Sequence, residues 1–351
     1  MNKKIIFTGG GTAGHVMVNV AIIPELVKLN WDIEYIGSEH GIERNLITDV
    51  KYHKISTGKL RRYWDWNNLK DPFKVIKGSL QSYKLIKKAR PNVIFSAGGF
   101  VSVPVVLGAW LNRVPIIIRE PDSTIGLANK IAIPFAEKLC ITFPDTKVGI
   151  NPKKVVYTGP IIREEIKNGS VERGLSYCGF TNDKPIVLIM GGSQGSERIN
   201  QILQATLKKL LVQFNIVHIC GKGKMNSLLQ VEGYRQFEYI NEQISDILAM
   251  ADIVISRAGS SAISELIVLK KPMLLIPLSD GSSRGDQIIN AEFCKRNKYA
   301  EVLLQENMDE VAFIESIEDL YRKREQYIKN LEQNKETGGI NEVVKLIEDF
   351  V

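Results

Sequence analysis

The sequence predicts an α/β protein built from two doubly wound parallel domains. Short apolar runs alternate with longer helical stretches, and these runs lack the polar alternation of a sheet with one face in water. The same rhythm restarts after residues 158–184, a polar segment broken by glycine and proline. A length of 351 residues also favours more than one core. We therefore predict a first domain over residues 1–160, joined by a final helix over 339–351, and a second domain over 161–338.

The apolar runs are the predicted strands. In the first domain they cover residues 3–9, 32–37, 92–98, 114–120, 138–143 and 154–159. In the second domain they cover residues 185–192, 214–221, 237–240, 251–259 and 271–278. Each series opens with a strand that runs into a glycine-rich turn, at 9–14 and at 191–195. Ligands of doubly wound sheets bind beyond the carboxyl ends of the strands, so two such domains facing each other would hold a ligand in the cleft between them.

The composition is that of a soluble globular protein, with 44% hydrophobic and 24% charged residues. No stretch offers about 18 clean apolar residues, and the N-terminal apolar run is too short for a signal peptide, so a cytosolic chain that does not span a membrane is expected. The 4 cysteines contain no C-x-x-C pair and the 4 histidines are dispersed, so we expect reduced thiols and no metal site.

The net charge of +7 is concentrated in residues 59–90. This segment holds ten Lys or Arg residues and two acids, a local charge of +8, and the remaining chain is therefore close to neutral. Such a local excess indicates a local anionic partner.

The first glycine turn, GGGTAGHV, fits G-x-G-x-x-G through Gly9, Gly11 and Gly14. Glu34 follows twenty residues later, where a dinucleotide site has an acid for the ribose, so this turn alone is compatible with an NAD enzyme. It lacks the lysine of a nucleotide-triphosphate loop. His15 stands at the predicted helix start, where a histidine either packs and caps or serves as a general base.

Three polar stretches of the second domain follow predicted strands. In GGSQGSERIN, Ser193 and backbone N–H groups can bind a phosphate, or the stretch is a plain tight turn. In SRAGSSAISEL, Glu265 can accept two ribose hydroxyls, or Ser261 with Ser264 or Glu265 forms an ordinary capping box. In DGSSRGDQIINAEF, Asp286, Gln287 and Asn290 can bind sugar hydroxyls or be solvated. Together the three stretches predict a nucleotide-sugar site, which leaves the first turn for another substrate.

GGGTAGHV, SAGGFVSVPVVLGAW, EPDSTIGLANK, GGSQGS, SRAGSSAISEL and DQIINAEF closely resemble the cytoplasmic murein glycosyltransferase family, in order and along the whole chain. The resemblance implies an inverting enzyme of the GT-B architecture, with two Rossmann-like domains and without an obligatory bound metal or other cofactor. It implies transfer of N-acetylglucosamine from UDP-N-acetylglucosamine to the C4 hydroxyl of undecaprenyl-diphospho-N-acetylmuramoyl-pentapeptide, the step from lipid I to lipid II. That step belongs to peptidoglycan biosynthesis, on which cell shape and cell division depend.

The resemblance also assigns roles to individual residues. It implies that Thr12, Ala13 and Gly14 face the sugar and the acceptor diphosphate, that Arg163 and Ser193 contact the nucleotide, and that Ile240 presents its backbone to uracil. It further implies that Ser261 and Ala262 lie beside the diphosphate and sugar, that Glu265 holds the ribose, and that Gln287 and Asn290 hold the N-acetylglucosamine. His15 is the candidate catalytic base, and Glu120 is the second choice.

The motif at residues 119–122 departs from the family. It reads REPD where HEQN is expected, so Arg119 replaces a histidine and Asp122 replaces an asparagine. We therefore do not assign to Asp122 any sugar contact that the asparagine makes in the family. The first turn also reads T-A-G instead of T-G-G, and Ala13 restricts close approach slightly.

The basic segment 59–90 is predicted to dock the enzyme on an anionic membrane, as a peripheral protein on its cytoplasmic face. Aromatic side chains alternate there with basic ones, and the docking residues are Arg61, Arg62, Trp64, Trp66, Phe73, Lys74 and Lys77. Trp110 and Leu111 could extend this face. The alternative is that the helical stripe of Phe73, Ile76, Leu80 and Tyr83 packs on its own sheet.

The expected partners are UDP-N-acetylglucosamine, lipid I and the membrane surface, and nucleic acid is not expected. Whether other cell-wall synthesis or division proteins also bind is left open by the sequence. Three alternatives remain: another GT-B transferase that makes a glycolipid, an NAD-dependent oxidoreductase, and a nucleic-acid-binding protein that uses the basic segment.

Overall fold

The computed structural model describes residues 3–58, 67–146, 148–192, 194–278, 285–334 and 339–351. Within these ranges the chain divides into two compact units. Unit 1 comprises Met1–Arg163 and Gly338–Val351, and unit 2 comprises Glu164–Thr337.

Unit 1 contains a parallel sheet of seven strands in the order β3-β2-β1-β4-β5-β6-β7. The strands are β1 (Lys4–Thr8), β2 (Asp32–Ser38), β3 (Lys51–Ile55), β4 (Val93–Ser96), β5 (Ile116–Glu120), β6 (Lys138–Ile141) and β7 (Val155–Tyr157). The helices of the first part of the chain are α1 (Ala13–Lys28), α2 (Glu43–Leu46), α3 (Asn67–Ala89), α4 (Ser102–Leu111) and α5 (Leu127–Ala132). Side chains of the central strands β1, β4 and β5 are buried on both faces, as the unbroken apolar runs predict.

Unit 2 contains a parallel sheet of six strands in the order β10-β9-β8-β11-β12-β13. The strands are β8 (Ile186–Met190), β9 (Asn215–Ile219), β10 (Tyr234–Phe237), β11 (Ile253–Ser256), β12 (Met273–Leu275) and β13 (Ala300–Val302). Its helices are α6 (Val171–Cys178), α7 (Glu197–Leu210), α8 (Ile244–Met250), α9 (Ser260–Val268), α10 (Asp286–Arg296), α11 (Glu310–Arg322) and α12 (Arg324–Glu332). The prediction of two doubly wound parallel domains is thus confirmed.

The sequence patterns miss two strands and misplace one, and all three lie at sheet edges. The strands β3 and β13 were not predicted, and β10 begins three residues earlier than the predicted run at 237–240. An edge strand has one wet side, so β3 reads KYHKI, with polar residues between apolar ones. The continuous apolar signal belongs only to strands that are covered on both faces.

The last helix, α13 (Gly339–Glu348), belongs to unit 1. It packs against α1, and its Val343 and Ile347 join the same buried cluster as Ile22 and Leu26 of α1. Its Glu348 accepts a hydrogen bond from Trp31 Nε1 at 2.5 Å and pairs with Lys3 at 2.9 Å. The sheet of unit 1 is therefore covered on the α1 side by two helices that are far apart in sequence.

In the described part of the chain, none of the helices is long and apolar enough to cross a bilayer. The cysteines Cys140, Cys178, Cys220 and Cys294 are all buried free thiols, as the reduced state predicts.

Candidate functional site

The first glycine turn lies at the topological switch point of the unit 1 sheet. The neighbours β1 and β4 run parallel, and the chain leaves them toward opposite ends of the sheet. The loop after β1, residues 9–12, leads into α1, and the loop after β4, residues 97–101, leads into α4. The two loops touch, since Gly10 N donates to Gly98 O at 3.3 Å. This crevice is where doubly wound sheets bind their ligands.

Helix α1 begins at this crevice. Thr12 is its N-cap residue, and Ala13, Gly14 and His15 form its first turn. Thr12 makes no side-chain capping bond. Its side chain is exposed, and the three residues that follow it are half-buried. The backbone N–H groups of this turn point out of the helix, where they favour a negative charge.

The imidazole of His15 lies against the 97–99 turn. Its Nδ1 is 2.9 Å from the carbonyl oxygen of Ala97. A carbonyl oxygen only accepts, so Nδ1 carries the proton of the neutral ring and Nε2 holds the lone pair. A neutral histidine held in this tautomer can accept a proton at Nε2 while Ala97 stabilises the charged ring.

Two glycines permit this close approach of loops and ring. Gly99 has φ +83°, and a Cβ there would collide with the carbonyl oxygen of Gly10 and would lie 3.1 Å from His15 Cδ2. Gly11 has φ +87°, and a Cβ there would press on the ring of Phe100. Both positions therefore need glycine for conformation and for space.

A buried carboxylate under the first turn was missed by the sequence patterns. Glu43 Oε1 accepts Ser38 N at 3.1 Å and also the Ser38 hydroxyl, and Oε2 accepts Gly11 N at 3.4 Å. A lone glutamate in a polar stretch carries no pattern that could have revealed this position.

Glu120 ends β5 and is buried. Its carboxylate accepts Gly126 N at 2.9 Å, Asp122 N at 3.2 Å and Asn129 Nδ2 at 2.9 Å. Burial and the neighbouring Asp122 raise the pKa of Glu120 to about 7, in the range of a general base. Three hydrogen bonds nevertheless hold this carboxylate to the surrounding chain, and a Cβ at Gly98 would lie 3.3 Å from the amide of Asn129.

Two of the departures from the family motif, Arg119 and Asp122, are buried beside Glu120. Arg119 donates from Nη2 to Thr142 Oγ1 at 3.0 Å, and burial lowers the pKa of its guanidinium to about 10. Asp122 follows the strand and is also buried.

Glu34 does not fit the ribose role of an NAD site. It is the third residue of β2, and its carboxylate binds Lys4 at 2.9 Å and His53 at 2.5 Å. Burial alone would raise the pKa of Glu34, but these two hydrogen bonds lower that pKa to about 2. This glutamate is occupied by an ion-pair network within the sheet.

The second glycine turn lies at the switch point of the unit 2 sheet, between β8 and β11. The loop after β8 leads through Gly191, Gly192 and Gly195 to Ser196, the N-cap of α7, whose Oγ accepts Ile199 N at 3.4 Å. Ser193 lies outside the described residues. The two sheets therefore have the same kind of glycine loop at the same topological position.

Helix α9 starts beside this loop, directly after β11. Its N-cap is Gly259, so Ser261 is already inside the helix, and the capping-box alternative for Ser261 is wrong. Ser261 is exposed, and Ala262 and Glu265 are half-buried. The N-terminal turns of α9 thus present all three predicted ligand residues in exposed or half-buried positions.

Of the remaining predicted donor residues, Gln287, Asn290 and Ile240 belong to unit 2 and Arg163 belongs to unit 1. Gln287 is half-buried in the first turn of α10, and its Oε1 accepts Leu278 N at 3.1 Å. Asn290 is fully buried and donates to Ala258 O at 3.2 Å, which ties α10 to the loop before α9. Ile240 is buried after β10, and Arg163 is half-buried at the end of the first part of unit 1.

A second buried network missed by the patterns anchors α7. Asn200 donates to Cys220 O at 2.9 Å, so its Oδ1 accepts from His218 Nε2 at 3.0 Å. His218 Nδ1 then accepts from the Tyr234 hydroxyl at 2.8 Å, and burial lowers the pKa of His218 to about 4. This histidine is a neutral core residue.

The described part of the basic segment carries an exposed apolar stripe. Phe73, Ile76 and Leu80 of α3 are 74%, 59% and 56% exposed, so the alternative that they pack on the sheet is wrong. Lys74 and Lys77 are exposed beside them, and Lys74 pairs with Asp71 at 3.2 Å. Trp110 and Leu111 of α4 are also exposed. The predicted docking residues Arg61, Arg62, Trp64 and Trp66 lie outside the described residues.

Within the described ranges, no group of three or more His, Cys, Asp and Glu side chains is arranged to hold a metal ion. Whether catalysis needs a metal stays a prediction.

Comparison with known families assigns both halves of the chain. Residues 5–141 match the glycosyltransferase family 28 N-terminal domain, and residues 186–349 match the glycosyltransferase family 28 C-terminal domain. The two matches fall in unit 1 and mainly in unit 2, respectively.

Curated relatives align over the full length. A UDP-N-acetylglucosamine–N-acetylmuramyl-(pentapeptide) pyrophosphoryl-undecaprenol N-acetylglucosamine transferase 3 of Bacillus cereus is 59% identical, and the alignment covers 100% of both chains. The transferase of the same description from Geobacillus thermodenitrificans is 55% identical over 99% of both chains.

Solved structures share the fold. The crystal structure of MurG from Acinetobacter baumannii superposes with a TM-score of 0.79 at 23% identity, covering 99% of each chain. The glycosyltransferase of kitacinnamycin superposes with a TM-score of 0.76 at 14% identity, covering 100% of this chain and 99% of that chain.

Proposed function

The chain belongs to glycosyltransferase family 28, and from this premise we propose that it transfers N-acetylglucosamine from UDP-N-acetylglucosamine to undecaprenyl-diphospho-N-acetylmuramoyl-pentapeptide. The nucleophile is the C4 hydroxyl of the muramoyl sugar, and the product is the disaccharide lipid precursor of peptidoglycan. The observation that carries the proposal is the duplicated switch-point loop: one copy leads into α1 with His15, and the other leads into α7, while α9 with Glu265 follows β11, the neighbouring strand at the second switch point.

We assign the acceptor to the unit 1 loop. The first turn of α1 offers free N–H groups to the diphosphate of the lipid substrate, while His15 Nε2 takes the proton of the attacking hydroxyl. The Nδ1–H bond to Ala97 holds the ring in the tautomer that this step needs.

We assign the donor to the unit 2 loops. The starts of α7 and α9 supply N–H groups and positive helix potential for the diphosphate of the departing UDP, so the proposal contains no metal or other cofactor. Glu265, one turn further into α9, accepts the two ribose hydroxyls.

The donor assignment is tested with Glu265→Ala. Loss of the Glu265 carboxylate should raise the KM for the donor, because each hydrogen bond to a charged acceptor contributes about 1.5–3 kcal/mol at most. The measurement uses labelled UDP-N-acetylglucosamine and a short-chain analogue of the lipid acceptor, with product formation by the wild type as the test of the activity itself.

The matched control is Glu315→Ala, an exposed helical glutamate of α11 in the same unit, which should leave the donor KM unchanged. An unchanged donor KM in Glu265→Ala would remove the ribose assignment. Absence of any labelled product with the wild type would remove the proposed reaction.

We further propose that α3 docks the enzyme on the inner surface of an anionic membrane. The exposed stripe of Phe73, Ile76 and Leu80 lies beside Lys74 and Lys77, in a segment whose total charge is +8. Apolar side chains of this kind insert at the interface, and lysines are attracted to anionic headgroups. Such docking would bring the enzyme to the lipid-linked acceptor, and in our proposal the docked enzyme is a peripheral protein on the cytoplasmic face.

Replacing Lys74 and Lys77 with glutamine should weaken binding to anionic vesicles, since each charge near the surface contributes about 1 kcal/mol. High salt should reproduce the loss by screening. Sedimentation with phosphatidylglycerol vesicles measures it, and turnover of a water-soluble acceptor should be unaffected.

The control pair is Lys208→Gln with Lys209→Gln, two exposed lysines of α7, which changes the net charge equally. Equal weakening by both pairs would show that only total charge matters and would reject α3 as the docking element.

A further inference from the structure

Arg257 was not selected by any sequence pattern, yet it occupies the switch point of the unit 2 sheet. It directly follows β11 and precedes the start of α9, and it is buried. Its guanidinium is therefore beneath the loops to which the donor diphosphate has been assigned.

The guanidinium joins the ends of four neighbouring strands. Nη1 donates to Ile276 O at 3.0 Å and to Pro277 O at 3.2 Å, after β12. Nη2 donates to Ser196 Oγ at 2.7 Å, after β8, and to Gln305 Oε1 at 2.7 Å, after β13. Because Ser196 caps α7, one side chain fixes the position of the second glycine loop relative to α9.

All four acceptors are neutral. Within the described ranges the guanidinium has no carboxylate as a hydrogen-bond or ion-pair partner. Burial lowers the pKa of Arg257, but an arginine with an ordinary pKa above 12 stays protonated at neutral pH. A buried charge without a counter-ion is costly, and a bound anionic ligand would supply the missing opposite charge.

We propose that Arg257 is a positioning residue for the donor diphosphate: it holds the loops after β8, β12 and β13 in place, and its unbalanced positive charge is completed by the negative charge of the bound nucleotide. The inference rests on the proposed donor site in unit 2. It assigns to a fixed protein cation part of the charge stabilisation that a metal ion supplies in other nucleotide-sugar enzymes.

The decisive variant is Gln305→Glu, which keeps the shape of the side chain and places a carboxylate on the guanidinium. An internal counter-ion should raise the melting temperature of the ligand-free protein, because the buried charge is then paired. It should also weaken UDP binding about tenfold at low salt, since the new carboxylate cancels the field that attracts the diphosphate. Binding of uridine, which has no phosphate, should be unchanged. Calorimetric titration of UDP and uridine measures both affinities.

The matched control is Gln326→Glu, the same charge change at an exposed position of α12, which should leave the ratio of UDP to uridine affinity as in the wild type. An unchanged ratio in Gln305→Glu would overturn the proposal, because a purely structural arginine gains from a carboxylate partner.

A second pair of variants covers the case in which Gln305→Glu fails to fold. Arg257→Lys keeps the charge and Arg257→Gln removes it, so the lysine variant should retain more of the UDP-to-uridine ratio. Equal ratios in the two variants would overturn the proposal. If the wild type binds uridine and UDP equally, or binds neither, the donor assignment itself fails. If the wild type prefers UDP but the variants keep the wild-type preference, only the role of Arg257 fails.

Discussion

Replacing His15 with alanine is expected to lower kcat for glycosyl transfer about 10²–10⁴-fold, the usual contribution of a general base. The Nδ1–H bond to Ala97 fixes the neutral ring so that Nε2 is the proton acceptor, and alanine removes both the acceptor and its orientation. The donor binds unit 2 in our proposal, so the affinity for UDP should stay close to that of the wild type.

The measurement is kcat at saturating donor with a soluble lipid-acceptor analogue, together with UDP titration. His40→Ala is the matched control, because His40 is exposed in the same unit. Activity of the His15 variant within a few-fold of wild type would place the base elsewhere. Glu120, whose pKa is raised to about 7, would then be tested next.

Gly99→Ala should lower kcat about 10²-fold or more without touching a reacting group, because a displacement of about 1 Å at a catalytic side chain has effects of that size. The new methyl group would collide with the Gly10 carbonyl and press on His15 Cδ2, and the φ of +83° is strained for alanine. The first loop and the imidazole would therefore both move.

The same assay with circular dichroism melting separates catalysis from folding. Gly149→Ala is the control, since a Cβ at Gly149 would meet no atom within 4 Å. If Gly99→Ala retains full kcat and melts like the wild type, the 97–99 turn does not position His15.

The fold class follows from the sequence because most strands are covered on both faces. The runs PIVLIMGG and ADIVISRAG have the apolar centres IVLIM and IVI, which lie in the central strands β8 and β11. The edge strands β3 and β13 are short and mixed in polarity, so a search for continuous apolar runs does not detect them. Tertiary position, and not local preference, decides their structure.

The candidate site was predictable where function imposes a local pattern. The glycine turns and the helix starts with His15 and Ser261 follow from spacing along the chain, whereas the contacts of Ser193 lie outside the described residues. The role of Glu43 under the first turn and that of Arg257 under the second depend on partners far away in sequence. No window of neighbouring residues contains that information.

The return of α13 to unit 1 has a consequence for how the protein is made. Unit 2 is continuous in sequence, whereas unit 1 is interrupted by it and is completed only by α13. A ribosome delivers residues in order, so all of unit 2 is synthesised before α13 exists. Until then the α1 side of the first sheet lacks Val343 and Ile347, and part of its apolar surface is exposed to solvent. The domain that is begun first is thus the last that can finish folding.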